Sequence, residues 1–330
     1  MVKRSISRDK RNMKPTIAIF IALQFLIGGC ARAERPAVRD QNSTLRKETP
    51  VVADPDTATQ NRITQIAAEA KGSVGVLAVI LETNATVASL NPQAHFPMQS
   101  VYKLPISMAV IKQVDAGKLR LDQKVPVATE DYVGAAAHSP IRDKYPNGTS
   151  LTTEELLRYA LSESDGTASD VLMKLAGGHE AVQAHLATLG ITDMIVLDTE
   201  NAFTQDHSLQ YRNYTTPEAG VSLLRALFER RGLSESGQAL ILKFMIESKP
   251  GAKRLKGSLP SGTVVAHKTG TSGTQNGITA ATNDIGIITL PSGKHLAIAV
   301  FVSDSPADEA TREGVIAKTA KAVWDSCNKS

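Results

Sequence analysis

The sequence predicts a mixed α/β chain of the α+β kind: one antiparallel sheet flanked by N- and C-terminal helices, with an all-helical domain inserted between its strands. Two observations carry this. Strand-like patterns occur at both ends of the chain, in "GVLAVILET" and "TVASLN" and again in "TVVAHK", "DIGIITL" and "HLAIAVFV". Between them, residues 100–250 have helix spacing with glycine stops.

Taken in order, a helix is expected at about 57–71, with Ile63, Ile66, Ala67 and Ala70 on one face. A strand pair follows around a turn at Asn84. The helical block contains "EELLRYALSES", "ASDVLMKLAGG", "AVQAHLATLG", "PEAGVSLLRALFERRG" and "SGQALILKFMIES". The last two strands are joined by the turn "PSGK", and a closing helix at about 306–325 is expected to bury Val315, Ile316, Val323 and Trp324. The domain limits read from this order are 56–98 with 250–330 for a discontinuous α/β domain and 99–249 for the helical one, with the site at their interface.

The formal charge of +4 comes from the N-terminus. Residues 1–33 hold seven Lys/Arg and one acid, Asp9; the remainder has 30 basic and 32 acidic residues, a net −2. A nucleic-acid partner has no compositional support. A basic stretch before "TIAIFIALQFLIGG" and small residues in "GGCARAE" read as an export signal, 1–33, from a start at Met1 or Met13. Cleavage after Ala33 and lipidation at Cys30 are the two outcomes this allows, giving a periplasmic or secreted protein, membrane-anchored only through Cys30. Residues 34–55 read as a polar tether. Cys30 and Cys327 are the only cysteines, and the first is lost or acylated, so stability must come from the core. Seven histidines without His-x-His or His-Glu-x-x-His spacing argue against a metal centre, and no cofactor is expected. The chain is expected to act as a monomer on small molecules.

Ser-x-x-Lys occurs three times, as Ser7/Lys10, Ser100/Lys103 and Ser326/Lys329. The outer two sit at termini. Ser100/Lys103, in "MQSVYKLPISMAV", opens an apolar run, where a hydroxyl and an amine one helical turn apart can face one cleft. Pro105 lacks an N–H and is expected to weaken the first turn. Ser164-Asp165-Gly166 falls between two helices, Lys268-Thr269-Gly270 ends a strand, and Glu200 lies between them in an aperiodic stretch. Taken singly, these are an interhelical turn, a strand end and a solvated loop acid. In this order behind Ser100/Lys103, all three ordinary readings would have to hold at once.

The ordered set resembles the class A β-lactamases and penicillin-binding proteins over about residues 56–325, and "VVAHKTGTSG…AATNDIGIITLPSG" is most similar to the PER/VEB-type extended-spectrum branch. The resemblance implies a serine β-lactamase/DD-peptidase-like fold and hydrolysis of β-lactams through an acyl-enzyme. It implies Ser100 as nucleophile and Ser164 as proton relay to the leaving nitrogen. Lys103 takes the Ser100 proton if neutral; Glu200 acting through a water takes it otherwise. Lys268, Thr269 and Arg254 would attract the substrate carboxylate, with Gly270 and Ser272 as further substrate contacts. The backbone N–H groups of Ser100 and Thr271 would form an oxyanion hole.

Three positions depart from the pattern. Gly166 replaces an asparagine that holds the acylamino side chain, which is expected to widen the mouth, and adding the amide back is expected to shift substrate preference. Thr204 stands where an asparagine helps hold the hydrolytic water. His138 stands in place of an aromatic gate residue, with an ordinary surface histidine as the alternative. The competing functions are a DD-peptidase, which lacks an acid equivalent to Glu200, and a non-catalytic cell-wall module, which predicts eroded motifs.

Overall fold

The structure, a computed structural model, describes residues 56–328. The expected leader, tether and Cys30 lie outside the described residues. Helix α1 (Thr57–Ala68) starts at the Asp56 cap, whose side chain accepts from the Ala58 N–H, and buries Ile63, Ile66 and Ala67. Strands β1 (Ser73–Ile80) and β2 (Thr86–Leu90) follow, with Asn84 at φ +60° in the turn between them. Asparagine tolerates that left-handed conformation better than most side chains.

After β3 (Phe96–Pro97) the chain makes a 3₁₀ turn, Gln99–Tyr102, and enters α2 (Lys103–Asp115). Ser100 therefore precedes the α-helix it was expected to open. Pro105 supplies the reason, since it has no N–H for the Val101 carbonyl, and the preceding turn closes instead by the shorter bond from Lys103 N–H to Ser100 O. Every residue from Lys103 to Ile111 is buried. A helix covered on all sides is the centre of its layer.

Around it stand β4 (Lys124–Val127), α3 (Pro140–Lys144), β5 (Thr149–Thr152), α4 (Thr153–Ser162), α5 (Gly166–Ala176) and α6 (His179–Thr188). Then come β6 (Met194–Ile195), α7 (Glu200–Gln205), β7 (Tyr214–Thr215), α8 (Pro217–Phe228) and α9 (Glu235–Ile246). Side-chain caps start most of these helices: Ser139, Thr152, Asp165, Thr199, Thr216 and Ser234 each accept from a backbone N–H of the first turn. The chain ends with β8 (Val265–Thr271), β9 (Thr274–Gln275), β10 (Ile278–Thr289), β11 (His295–Ser305) and α10 (Glu309–Cys327).

The main sheet runs β2-β1-β11-β10-β8, with β9 on β10, and every pairing is antiparallel. Its central strands are almost continuously apolar because both faces are covered. On one face Val76, Ile298 and Val300 meet Ile63 and Ile66 of α1 and Val315, Ile316 and Val323 of α10. On the other, Ile285, Ala297 and Phe301 join the core of the helical block through residues such as Leu223 and Leu224. No helix among the described residues is long and apolar enough to cross a membrane.

The short strands were absent from the sequence reading. Three of them matter for the site: β3 pairs with β7, and β7 with β6. Nearby, Met98 N–H donates to Asn213 O at 2.9 Å. The buried Asn213 side chain accepts from the Leu197 and Asp198 N–H groups at 2.8 and 2.9 Å and donates to Asp198 O at 2.8 Å. The loop carrying Glu200 is thus tied at its base to the segment carrying Ser100.

One buried group in the helical block makes stability depend on pH. His185 of α6 is 4% exposed, and neither ring nitrogen has a protein hydrogen-bond partner among the described residues. Burial, helped by the nearby Lys112 charge, pushes it down to about 4. Unfolded, the imidazole takes up a proton near its ordinary pKa of about 6.5; folded, it does so only near 4. Stability is therefore lost as pH falls between these values, by at most about 3 kcal/mol. Urea midpoints should show the parent losing stability relative to His185→Leu between pH 7 and 4; parallel curves for the two proteins would contradict this.

Candidate active site

The nucleophile candidate, Ser100, is partly exposed at the floor of a cleft of about 440 Å³. The cleft is also lined by Ser164, Glu200, Thr269, Thr271 and Ser272, with His138 and Thr204 at its wall. The two lysines lie beneath: Lys103 is 1% and Lys268 0% exposed. Segments far apart in the sequence thus converge on one place.

Ser164 joins the two lysines. Its carbonyl accepts from Lys103 Nζ at 2.8 Å, and its hydroxyl accepts from Lys268 Nζ at 2.9 Å. Holding both contacts requires a left-handed backbone, φ +58°, which is strained for serine. Asp165 anchors the turn by accepting from Ala168 N–H, Ile141 N–H and Ser139 Oγ. Burial pushes Lys268 well below the ordinary lysine range, and the adjacent Lys103 charge adds to this.

Glu200 is the first residue of α7 and reaches Lys103 Nζ at 3.3 Å through Oε2. The same oxygen accepts from the Tyr102 hydroxyl at 2.8 Å. The start of α7 is held from below by Asp170, whose carboxylate accepts from the Glu200 and Asn201 N–H groups at 2.8 and 2.9 Å. Burial pushes Asp170 up to about 7. The other acids of this loop are engaged elsewhere: Asp198 pairs with Arg212 at 3.3 Å, and Asp206 caps the following turn at Ser208.

Arg254 is buried and wired into the end of β8. It donates to Gly270 O at 3.2 Å, Asn283 O at 3.0 Å and Thr271 Oγ1 at 2.8 Å, and pairs with Glu313 at 3.1 Å. Its charge reaches the cleft beside Thr271 and is partly balanced by that glutamate. Gly270 has a steric reason to be glycine, because a Cβ there would lie 2.2 Å from Met98 O.

The expectation of a wider mouth at Gly166 is corrected. A Cβ there would lie 2.8 Å from Glu200 Cγ, 3.2 Å from His138 O and 3.3 Å from Val133 Cγ2. The glutamate side chain occupies the room that the missing side chain leaves. Thr204 lines the cleft, but its hydroxyl donates to Asn201 O at 2.7 Å. His138 is exposed, and its Nε2 lies 2.9 Å from Glu163 O.

Four side chains here escaped the sequence reading: Gln99, Tyr102, Asp170 and Asn213. Gln99, at φ +47°, donates to Gln210 at 2.8 Å beside the nucleophile. Only Tyr102 had a local signal, a hydroxyl-bearing ring inside the Ser-x-x-Lys tetrad.

The comparisons with known proteins agree with this geometry. A model described as the β-lactamase enzyme family matches residues 58–327. β-Lactamase VEB-1 of Pseudomonas aeruginosa is 43% identical over 238 residues, covering 72% of this chain and 79% of that protein. Extended-spectrum β-lactamase PER-1 of the same species is 43% identical over 236 residues, covering 71% and 76%. The crystal structure of a β-lactamase from Chitinophaga pinensis DSM 2588 superposes with a TM-score of 0.80 at 45% identity, covering 82% of this chain and all of that one. With its serine and glutamate in one cleft and two lysines buried beneath it, this chain belongs to the β-lactamase enzyme family, as a class A serine enzyme that hydrolyses β-lactams.

Proposed function

We propose that the cleft opens the lactam ring of penicillins and cephalosporins, oxyimino-cephalosporins included, through an acyl-enzyme on Ser100 that Glu200 then clears. The observation that carries this is the bridge Lys103–Ser164–Lys268 beside Glu200. Ser100 Oγ attacks the lactam carbonyl carbon. Its proton goes to Lys103 when that amine is neutral, or through a water to Glu200 when it is charged. As the C–N bond breaks, the Ser164 hydroxyl, braced by Lys268, protonates the leaving nitrogen. The negative oxygen that forms meanwhile rests between the Ser100 and Thr271 N–H groups, each donor worth ~3–4 kcal/mol.

Deacylation needs a second base step. A water held by Glu200 attacks the ester carbonyl, gives up its proton to the carboxylate, and Ser100 leaves with its hydroxyl restored. Lys268, Thr269 and Arg254 hold the substrate carboxylate, with Arg254 acting through Thr271. A DD-peptidase has no use for an acid so placed, and Glu200 counts against that alternative.

Wide acceptance is supported by the small side chains on both rims, Ala136 and Ala137 on one and Ser272 and Gly273 on the other. The name of the relative PER-1 agrees with it. Export, with residues 1–33 removed or with retention through Cys30, and action as a monomer belong to the same reading. So does the division into an α/β domain and an inserted helical domain, since both parts contribute to the cleft lining.

The purified 34–330 fragment should hydrolyse cefotaxime with kcat/KM within about a hundredfold of that for benzylpenicillin. A value more than about a thousandfold lower would mark a narrow penicillinase instead.

A further inference from the structure

Class A chemistry assigns work to Ser100, Lys103 and Glu200, yet the side chain that bonds the glutamate most closely stands at an unspecified position of the Ser-x-x-Lys tetrad. Tyr102 is fully buried between the nucleophile and the lysine. Its hydroxyl donates to Glu200 Oε2 at 2.8 Å, closer than Lys103 Nζ at 3.3 Å. Burial, together with the Glu200 and Asp170 carboxylates, pushes the phenol well above its ordinary range, so the hydroxyl keeps its proton and serves as a donor. The ring is fixed as well: Phe203 of α7 packs edge-on against it at 6.1 Å between centroids and 84° between planes.

The Tyr102 hydrogen bond and the Lys103 ion pair both fall on Oε2 and make the carboxylate asymmetric. Among the described residues, no protein donor bonds Oε1, and Glu200 lines the cleft. A carboxylate that must take a proton from a water needs one oxygen free and a fixed plane. Lys103 alone cannot guarantee that plane, because its Nζ also bonds Ser164 O and is itself a candidate to accept the Ser100 proton during acylation. Tyr102 has no such second task.

We propose that Tyr102 is the positioning residue for Glu200: its hydroxyl fixes Oε2 and turns Oε1 toward the water that cleaves the acyl-enzyme. This rests on the reading of Glu200 as the deacylating base. The role is therefore selective, required for clearing the ester and dispensable for forming it by way of Lys103.

Tyr102→Phe removes the hydroxyl and keeps the ring against Phe203. The variant and the parent are compared with Glu200→Ala in stopped-flow and steady-state hydrolysis of nitrocefin, with intact-protein mass spectra taken during turnover. The expected result is an acylation burst at the parental rate and a kcat lowered about ten- to a hundredfold, the effect of losing one hydrogen bond to a charged group. KM should fall in proportion, leaving kcat/KM unchanged, and the acyl-enzyme should become visible. A merely structural role would lower kcat/KM and the burst together. A parental kcat in Tyr102→Phe, or a burst slowed in step with kcat, overturns the proposal while leaving Glu200 its role if Glu200→Ala accumulates adduct. If Glu200→Ala turns over without adduct, the underlying assignment fails and Tyr102 falls with it.

Discussion

Replacing Glu200 with alanine should leave an enzyme that still reacts with penicillin and then stalls. An acyl-enzyme ester hydrolyses slowly unless a water beside it is held and deprotonated, and a well-placed general base is worth roughly 10²–10⁴ in rate. Glu200 is the acid at this place: it lines the cleft and reaches Lys103 at 3.3 Å. Asp198 and Asp206 are bound to Arg212 and to the Ser208 turn instead. Steady-state kcat should therefore fall by about 10²–10⁴ in Glu200→Ala while Asp198→Ala and Asp206→Ala, once shown to be folded, keep turning over. Parental turnover in Glu200→Ala would remove the glutamate from the mechanism.

Gly166→Asn should act on the same step, although the position does not belong to the loop of Glu200. The new Cβ would stand 2.8 Å from Glu200 Cγ, closer than side chains pack, with His138 O and Val133 on the other sides limiting any retreat. The glutamate is the part that can move, and moving it breaks its contacts to Tyr102 and Lys103. The expected result is a kcat about ten- to a hundredfold lower for penicillins and cephalosporins alike, with accumulated acyl-enzyme. A changed ratio between the two classes with full kcat would mean that the added amide reaches the acylamino group without disturbing Glu200. The glycine and the glutamate are, on this account, one steric unit.

The residues to which the proposed mechanism gives chemistry were legible in the sequence through their local spacing. Ser100 and Lys103 must be one turn apart, Ser164 must end a helix connection, and Lys268 must sit at a strand end, so each leaves a short linear pattern. The sheet was legible for a related reason: β11 and the second half of β10 are covered on both faces and therefore read as apolar runs. Tyr102 and Asp170 were not. Their roles are set by partners 98 and 30 residues away, which no local pattern records. The two-residue strands β3, β6 and β7 escaped because they are too short to have a period, yet with Asn213 they fix the loop of Glu200 beside Ser100. Gly166 was read by its missing side chain alone. What fills the space comes from α7, a six-residue helix starting at Glu200 whose sequence showed no periodicity.

The central claim is that the acyl group rides on Ser100 between two distinct chemical steps. Ser100 falls in a tryptic peptide that runs from Gly72 to Lys103 and contains no internal Lys or Arg. Glu200→Ala mixed with benzylpenicillin, quenched in acid, digested and mapped by tandem mass spectrometry tests the claim directly. The expected result is one penicilloyl group per chain, on that peptide and at Ser100. An adduct on any other peptide, or none under conditions where the parent hydrolyses the drug, would contradict it.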